Sequence, residues 1–338
     1  MKHQKNFPPR AIIYVLFDLL ALILAFAVLA LTTYAPLQQT VSSVFIMPSQ
    51  TVSPLADPDE PQSSTPQTVP TVSPTPEPTP TPVPGDFSDA FSRASIPEGM
   101  DYVYRGQDYL IGIEEYYVDN AVLFVADVYV RDVHLIKTAF ANGSFKGRSS
   151  RYENIVSLCE DNNALFGVSG DYVSIREDGV VIRNGELLQK SKYTDILVLY
   201  VDGTMAVYSP REKTIQELTD GSVWQTWCFG PNLLDKNGQA MEINHKLMRN
   251  NPRCAIGYYE PGHYAFVVVD GRTKYYSEGM TLTALSTFMA DLGCKVAYNL
   301  DGGQTAQMVL EDNLVNMPAN GGRRVGDIIY LEGEEPKQ

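Results

Sequence analysis

Hydrophobic positions along the chain fall into three regimes. From Ala11 to Leu31 the sequence AIIYVLFDLLALILAFAVLAL is apolar almost without interruption. At a rise of about 1.5 Å per residue, a run of about twenty such residues matches a hydrocarbon core of about 30 Å, so the pattern predicts one transmembrane helix. From about Met47 to Pro84 large apolar side chains become sparse, and TVSPTPEPTPTPVP is almost entirely Pro and Thr. Such a stretch buries too little surface to offset its ordering entropy, and its prolines favour extended backbone; it reads as a disordered stalk.

Beyond Asp86 the pattern changes again. Short β-branched and aromatic runs at Ala121–Val130, Ile196–Gly203, Tyr264–Gly271, Lys295–Gly302 and Asp327–Gly333 predict strands, most of them closing on Asp or Gly. Two segments switch to helical spacing: Glu153–Asn162, and Thr281–Leu292, where Leu282, Leu285, Met289 and Leu292 share a face and Gly293 follows as a stop signal. The expected class is α+β: a mixed, twisted β-sheet core with a few flanking helices, preceded by one transmembrane helix and the stalk.

Charge orients this arrangement. Lys2, Lys5 and Arg10 precede the apolar run and no Lys or Arg follows it before Arg93, which predicts a cytoplasmic tail (1–10), an anchor (11–31), an extracytoplasmic stalk (32–85) and an extracytoplasmic domain (86–338). A cleavable signal peptide is the alternative, but the run exceeds the usual h-region and Thr32–Ala35 offers no A-x-A site. Asp18 within the span is either tolerated by tilt or marks a helix partner. The lipid bilayer is therefore an expected partner. With a net charge of −14 and no basic run outside the N-terminus, nucleic acid is not. Cys159, Cys228, Cys254 and Cys294 are widely spaced without a C-x-x-C pair, compatible with disulfides or with buried thiols.

Candidate chemistry concentrates at strand ends. In AYNLDGGQTAQM, period two puts Val296, Tyr298 and Leu300 on one face and Ala297, Asn299 and Asp301 on the other, and Gly302 and Gly303 are expected to turn through positive φ and expose amides. A plain Asp-Gly-Gly turn is the competing reading. In GVSGDYVSIREDGVVIRNGEL a strand runs into Ser169, Gly170, Asp171 and Tyr172, with a hairpin expected at Asp178-Gly179. In NPRCAIGYYEPGHYAFVVVDGR, Arg253 precedes a strand, Glu260–Gly262 makes a tight turn, and Asp270, Gly271 and Arg272 close the next strand.

Taken in order, SGDYV, VIRNG, CFGPNLL, NPRCAIG, VVVDGR, GMTLTALSTFMADLGCKVAYNLDGG and GGRRVGDIIYL resemble the phosphodiester glycosidase family over Leu165 to Leu331. The chain departs from the family pattern at Ser169-Gly170, where Asn-Gly is common, and at Gln304-Thr305, where Gly-Ser is common. The resemblance implies cleavage of a sugar-1-phosphodiester at its anomeric bond. That chemistry wants one carboxylate near the anomeric carbon and a second group to move a proton, so Asp301 and Asp171 are the catalytic candidates, their roles undivided. Arg253 and Arg272 are candidate phosphate anchors, with structural ion pairing as the alternative. Asn299 orients Asp301 or binds a sugar hydroxyl, with a buried structural amide as the alternative. Ser169, Gly170, Gly302, Gly303 and Thr305 are expected to line the site, and of Arg323 and Arg324 one is expected to face it.

No cofactor is expected. His3, His134, His245 and His263 lack metal-ligand spacing, though a divalent cation such as calcium stays open. Neither a G-x-S-x-G elbow nor a P-loop is present. The expected substrate is envelope glycan or a sugar phosphate of the N-acetylglucosamine type. A non-catalytic glycan-binding module and a glycosidase of non-phosphorylated glycans are the competing functions.

Overall fold

The computed structural model describes residues 85–147, 151–173, 177–244 and 249–333. All belong to the second of two units into which the chain divides, Glu77–Gln338. The expected tail, anchor and nearly all of the stalk lie outside the described residues. No described helix is long and apolar enough to cross a membrane.

A short helix α1 (Ser88–Arg93) leads into β1 (Tyr102–Arg105), β2 (Tyr109–Val118), β3 (Ala121–Val130) and β4 (Lys137–Phe140). Helix α2 (Ile155–Asp161) begins where the Asn154 side chain accepts the amide hydrogens of Val156 and Ser157. After β5 (Ala164–Ser169) come the hairpin β6 (Val180–Arg183) and β7 (Glu186–Lys190), then β8 (Ile196–Tyr200), β9 (Met205–Tyr208) and β10 (Val223–Trp227). The remaining elements are β11 (Arg253–Glu260), β12 (His263–Val269), α3 (Leu282–Asp291), β13 (Val296–Leu300), β14 (Met308–Leu310), β15 (Asn313–Leu314) and β16 (Asp327–Glu332).

Four sheets divide these strands, in the orders β1-β2-β3-β12-β11-β13, β15-β14-β5-β16-β4, β10-β8-β9 and β6-β7. The α+β class holds, but every described strand pair is antiparallel, so the sheets are not of mixed sense. Hairpin connections account for β2-β3, β6-β7, β8-β9 and β11-β12, and short turns can join only antiparallel neighbours.

The two large sheets face each other across one core. Phe166 and Val168 of β5 and Ile329 of β16 pack with Ile256, Phe266, Val268 and Tyr298 of the six-stranded sheet. On that sheet's other face Leu123, Val125, Val267 and Ala297 meet Leu282, Leu285, Phe288 and Met289 of α3. The five-stranded sheet likewise carries α2 on its outer side through Ile155, Leu158 and Cys159. The layers thus run helix, sheet, sheet, helix, and burial on both faces explains why β3 and β12 read as continuous apolar runs.

Two local expectations are corrected. The hairpin turn is Asn184-Gly185, both residues at positive φ as a type I′ turn requires, whereas Gly179 lies ahead of β6 with φ +114° and approaches Cys228. Gly302 is extended (φ −125°), and only Gly303 takes positive φ, at +68°. Gly302 is needed for space instead: a Cβ there would sit 2.8 Å from the Pro252 carbonyl oxygen. All four cysteines are free thiols.

Candidate active site

Antiparallel pairing gathers the polar strand ends. In the six-stranded sheet Cys254 faces Leu300, so Arg253 and Asp301 emerge at the same end. In the five-stranded sheet Ile328 faces Ser169, so Asp327 and Gly170 do likewise. The two sheets meet there: the Asp301 amide donates to the Gly170 carbonyl at 3.2 Å. Ser169, buried, donates its hydroxyl to the Thr305 carbonyl, and Thr305 donates its own to the Gly302 carbonyl at 2.6 Å. The Ser169 hydroxyl braces the junction from within, while that of Thr305 also bears on the Asp301 carboxyl.

Asp171 is held by main chain. Its Oδ1 accepts the Tyr172 amide at 2.8 Å and its Oδ2 the Cys228 amide at 2.6 Å. Behind it the buried Arg183 places Nη2 3.8 Å from Asp171 Oδ2 and 3.2 Å from Asp327 Oδ2. Asp301 stands closer to solvent, its Oδ2 3.6 Å from Arg323 Nη2. Burial pushes the Asp301 carboxyl up to about 6, nearby Asp171 adding to the effect, while the Thr305 hydroxyl, Arg323 and the Gly302 amide pull the other way. Burial raises Asp327 further, to about 7, again with Asp171 adding and Arg183 opposing.

Two arginines border the Gly302–Thr305 turn, Arg272 through its guanidinium and Arg253 through its main chain. Arg272 donates through Nε and Nη2 to the neutral Asn251 side-chain oxygen, and its guanidinium lies over Gly303, 3.4 Å from where a Cβ would stand. Arg253, buried, donates to the carbonyls of Met280 and Arg249. Burial, with the like charge of Arg272 beside it, draws the Arg253 pKa down to about 10.

Not every expected residue enters this arrangement. Asn299 turns its amide to the Gly230 carbonyl at 2.7 Å, and its buried Oδ1 has no partner; its hydrogen bond goes to the loop after β10, not to Asp301. Asp270 braces the segment after β14, accepting from Tyr276, Asn316 and Met317, and forms no ion pair with Arg272. Arg324 is exposed. Sequence reasoning passed over Arg183 and Asp327. Arg183 closes the apolar strand Val180–Arg183 and Asp327 opens Asp327–Glu332, both buried, and a buried charge signals a partner. Among the described residues no group of three or more His, Cys, Asp or Glu side chains is placed to hold a metal ion.

The arrangement can place a proton-exchanging carboxyl and a second, amide-held carboxylate beside a pair of cations. Comparison with known proteins agrees with this chemistry at the level of family. The family model described as phosphodiester glycosidase matches residues 162–332. An uncharacterized SPbeta prophage-derived protein of Bacillus subtilis strain 168 is 26% identical over 236 residues, covering 64% of this chain and 35% of the relative, so the chain spans about a third of that relative's length. The catalytic domain of zebrafish N-acetylglucosamine-1-phosphodiester alpha-N-acetylglucosaminidase, auto-inhibited by its pro-peptide, shares the fold with a TM-score of 0.55 at 19% identity, over 71% of this chain and 87% of that one.

Proposed function

This chain belongs to the phosphodiester glycosidase family, and on that premise we propose that it hydrolyses sugar-1-phosphodiesters of the N-acetylglucosamine type in envelope polysaccharide. The observation that carries the reading is the junction of Asp171 and Asp301, where the Asp301 amide meets the Gly170 carbonyl, with Arg272 lying over Gly303 beside it. Asp301, raised to about 6, is the group that gives and takes the proton near neutral pH. Asp171 serves as the carboxylate that steadies positive charge growing at the anomeric carbon. The Arg pair holds the phosphate, with Arg323 steering Asp301. The apolar run at 11–31 anchors the chain with its N-terminus cytoplasmic, and the stalk at 32–85 carries the domain out to the glycan.

The test is release of N-acetylglucosamine from a 1-phosphodiester by the full chain, with a neutral N-acetylglucosaminide beside it. Asp301→Asn should lower kcat by about 100-fold or more. Arg272→Ala should raise KM for the phosphodiester and leave any action on the neutral glycoside unchanged. Binding of glycan without turnover would overturn the enzyme reading in favour of a binding module. Equal turnover of both substrates would overturn the role given to the Arg pair.

A further inference from the structure

Behind Asp171 lie two buried charged groups, Arg183 and Asp327, that the proposed chemistry does not use. Arg183 is 3% exposed, Asp171 6% and Asp327 1%, so one guanidinium is shared by two carboxylates in nearly complete burial. Arg183 is itself fixed: Nη1 donates to the carbonyls of Ile182 and Thr226, and the guanidinium stacks on Trp227 at 5.6 Å from the ring centroid. Asp327 Oδ1 and Arg183 Nε are buried without partners.

Two ionised carboxylates against one guanidinium would leave an uncompensated negative charge out of reach of water, which is costly. A proton on one carboxylate removes that cost. The titratable groups facing Asp327 are Arg183 from β6 and Asp171 from the loop after β5; from β4, Phe140 pairs with it and carries no charge. Asp171 accepts two amide hydrogens, whereas Asp327 keeps a buried oxygen without a partner, which makes Asp327 the carboxyl suited to hold that proton.

We propose that Asp327 is a positioning residue for Asp171: by binding or releasing one proton it leaves Arg183 to Asp171 alone or divides the guanidinium between the two carboxylates. The inference rests on the glycosidase reading only in taking Asp171 as part of the reacting site. Protonated Asp327 leaves the cluster neutral, with Asp171 held from behind by Arg183. Ionised Asp327 competes for the same Nη2 and loosens that hold. The direction fits the rise of the Asp327 carboxyl to about 7.

Asp327→Asn keeps an oxygen for Arg183 and removes the titration. The ratio of variant to wild-type kcat on the 1-phosphodiester should stay near unity at about pH 5.5 and rise by about three-fold or more at about pH 8, with KM unchanged. A ratio that is constant or falls over that range would overturn the proposal, because a purely structural role moves both pH values alike. A second arm needs no turnover and no substitution at Asp327. In the Asp301→Asn chain, infrared difference spectra with carbon-13 aspartate should show one buried carboxyl losing its proton near pH 7, and its absence would also overturn the proposal. A chain with that carboxyl but without hydrolysis would defeat the glycosidase reading alone.

Discussion

At the scale of single residues, Gly170 determines whether the two buried carboxylates can coexist. A Cβ at this position would lie 2.8 Å from Asp327 Oδ2, and its carbonyl must also receive the Asp301 amide. Gly170→Ala therefore pushes Asp327 off Arg183, and denaturant unfolding should show a loss of about 1–3 kcal/mol, the range for overpacking a filled interior. Asp171 and Asp301 were legible in the sequence because each stands beside glycines at a strand end. Asp327 was not, since its partner Arg183 is 144 residues away along the chain and no local pattern encodes that meeting. Asn299 is legible as a buried polar position, and of its alternatives the structural amide fits its bond to the Gly230 carbonyl. Period two puts it on the side of Asp301, yet the loop carrying Gly230 comes nearer and takes its amide.

Elements were read more fully than residues. Helix α3 carries its own start and stop signals: Thr281 accepts the Ala284 amide, and Gly293 takes φ +83° just beyond the end. Thr281→Ala should cost about 1 kcal/mol, visible as a lowered denaturation midpoint with an unchanged slope. The misplaced hairpin has an equally physical cause. Asp178-Gly179 and Asn184-Gly185 carry the same turn signal, and the flanks decide between them: only 180–183 and 186–190 form a ladder around their turn. How strands sort into separate sheets, with every pair antiparallel, depends on contacts between distant runs and was beyond a reading of each run alone.

At the scale of the molecule, the raised carboxyls make stability depend on pH. Asp301 and Asp327 titrate near 6 and 7 in the folded chain, against an ordinary carboxylate value of about 3.9 when unfolded. Between these limits the folded state binds more protons, so unfolding free energy falls as pH rises from about 4 to about 7. Thermal or urea denaturation should show a more stable protein at about pH 5 than at about pH 8, and Asp327→Asn should flatten the difference.

The domain is also larger than its family-matched segment. Residues 162–332 exclude β1 to β4, yet β3 pairs with β12 along seven residues from His263↔Tyr129 to Val269↔Leu123, and β4 closes one edge beside β16. A gene fragment trimmed to that segment would leave β12 and β16 with bare, apolar edges, the configuration that recruits foreign strands. It should accumulate as aggregate. Supplying residues 85–161, which restore β1 to β4 and the α2 cover, as a separate polypeptide should return it to solution, making the chain a split protein whose two halves report their own reassembly.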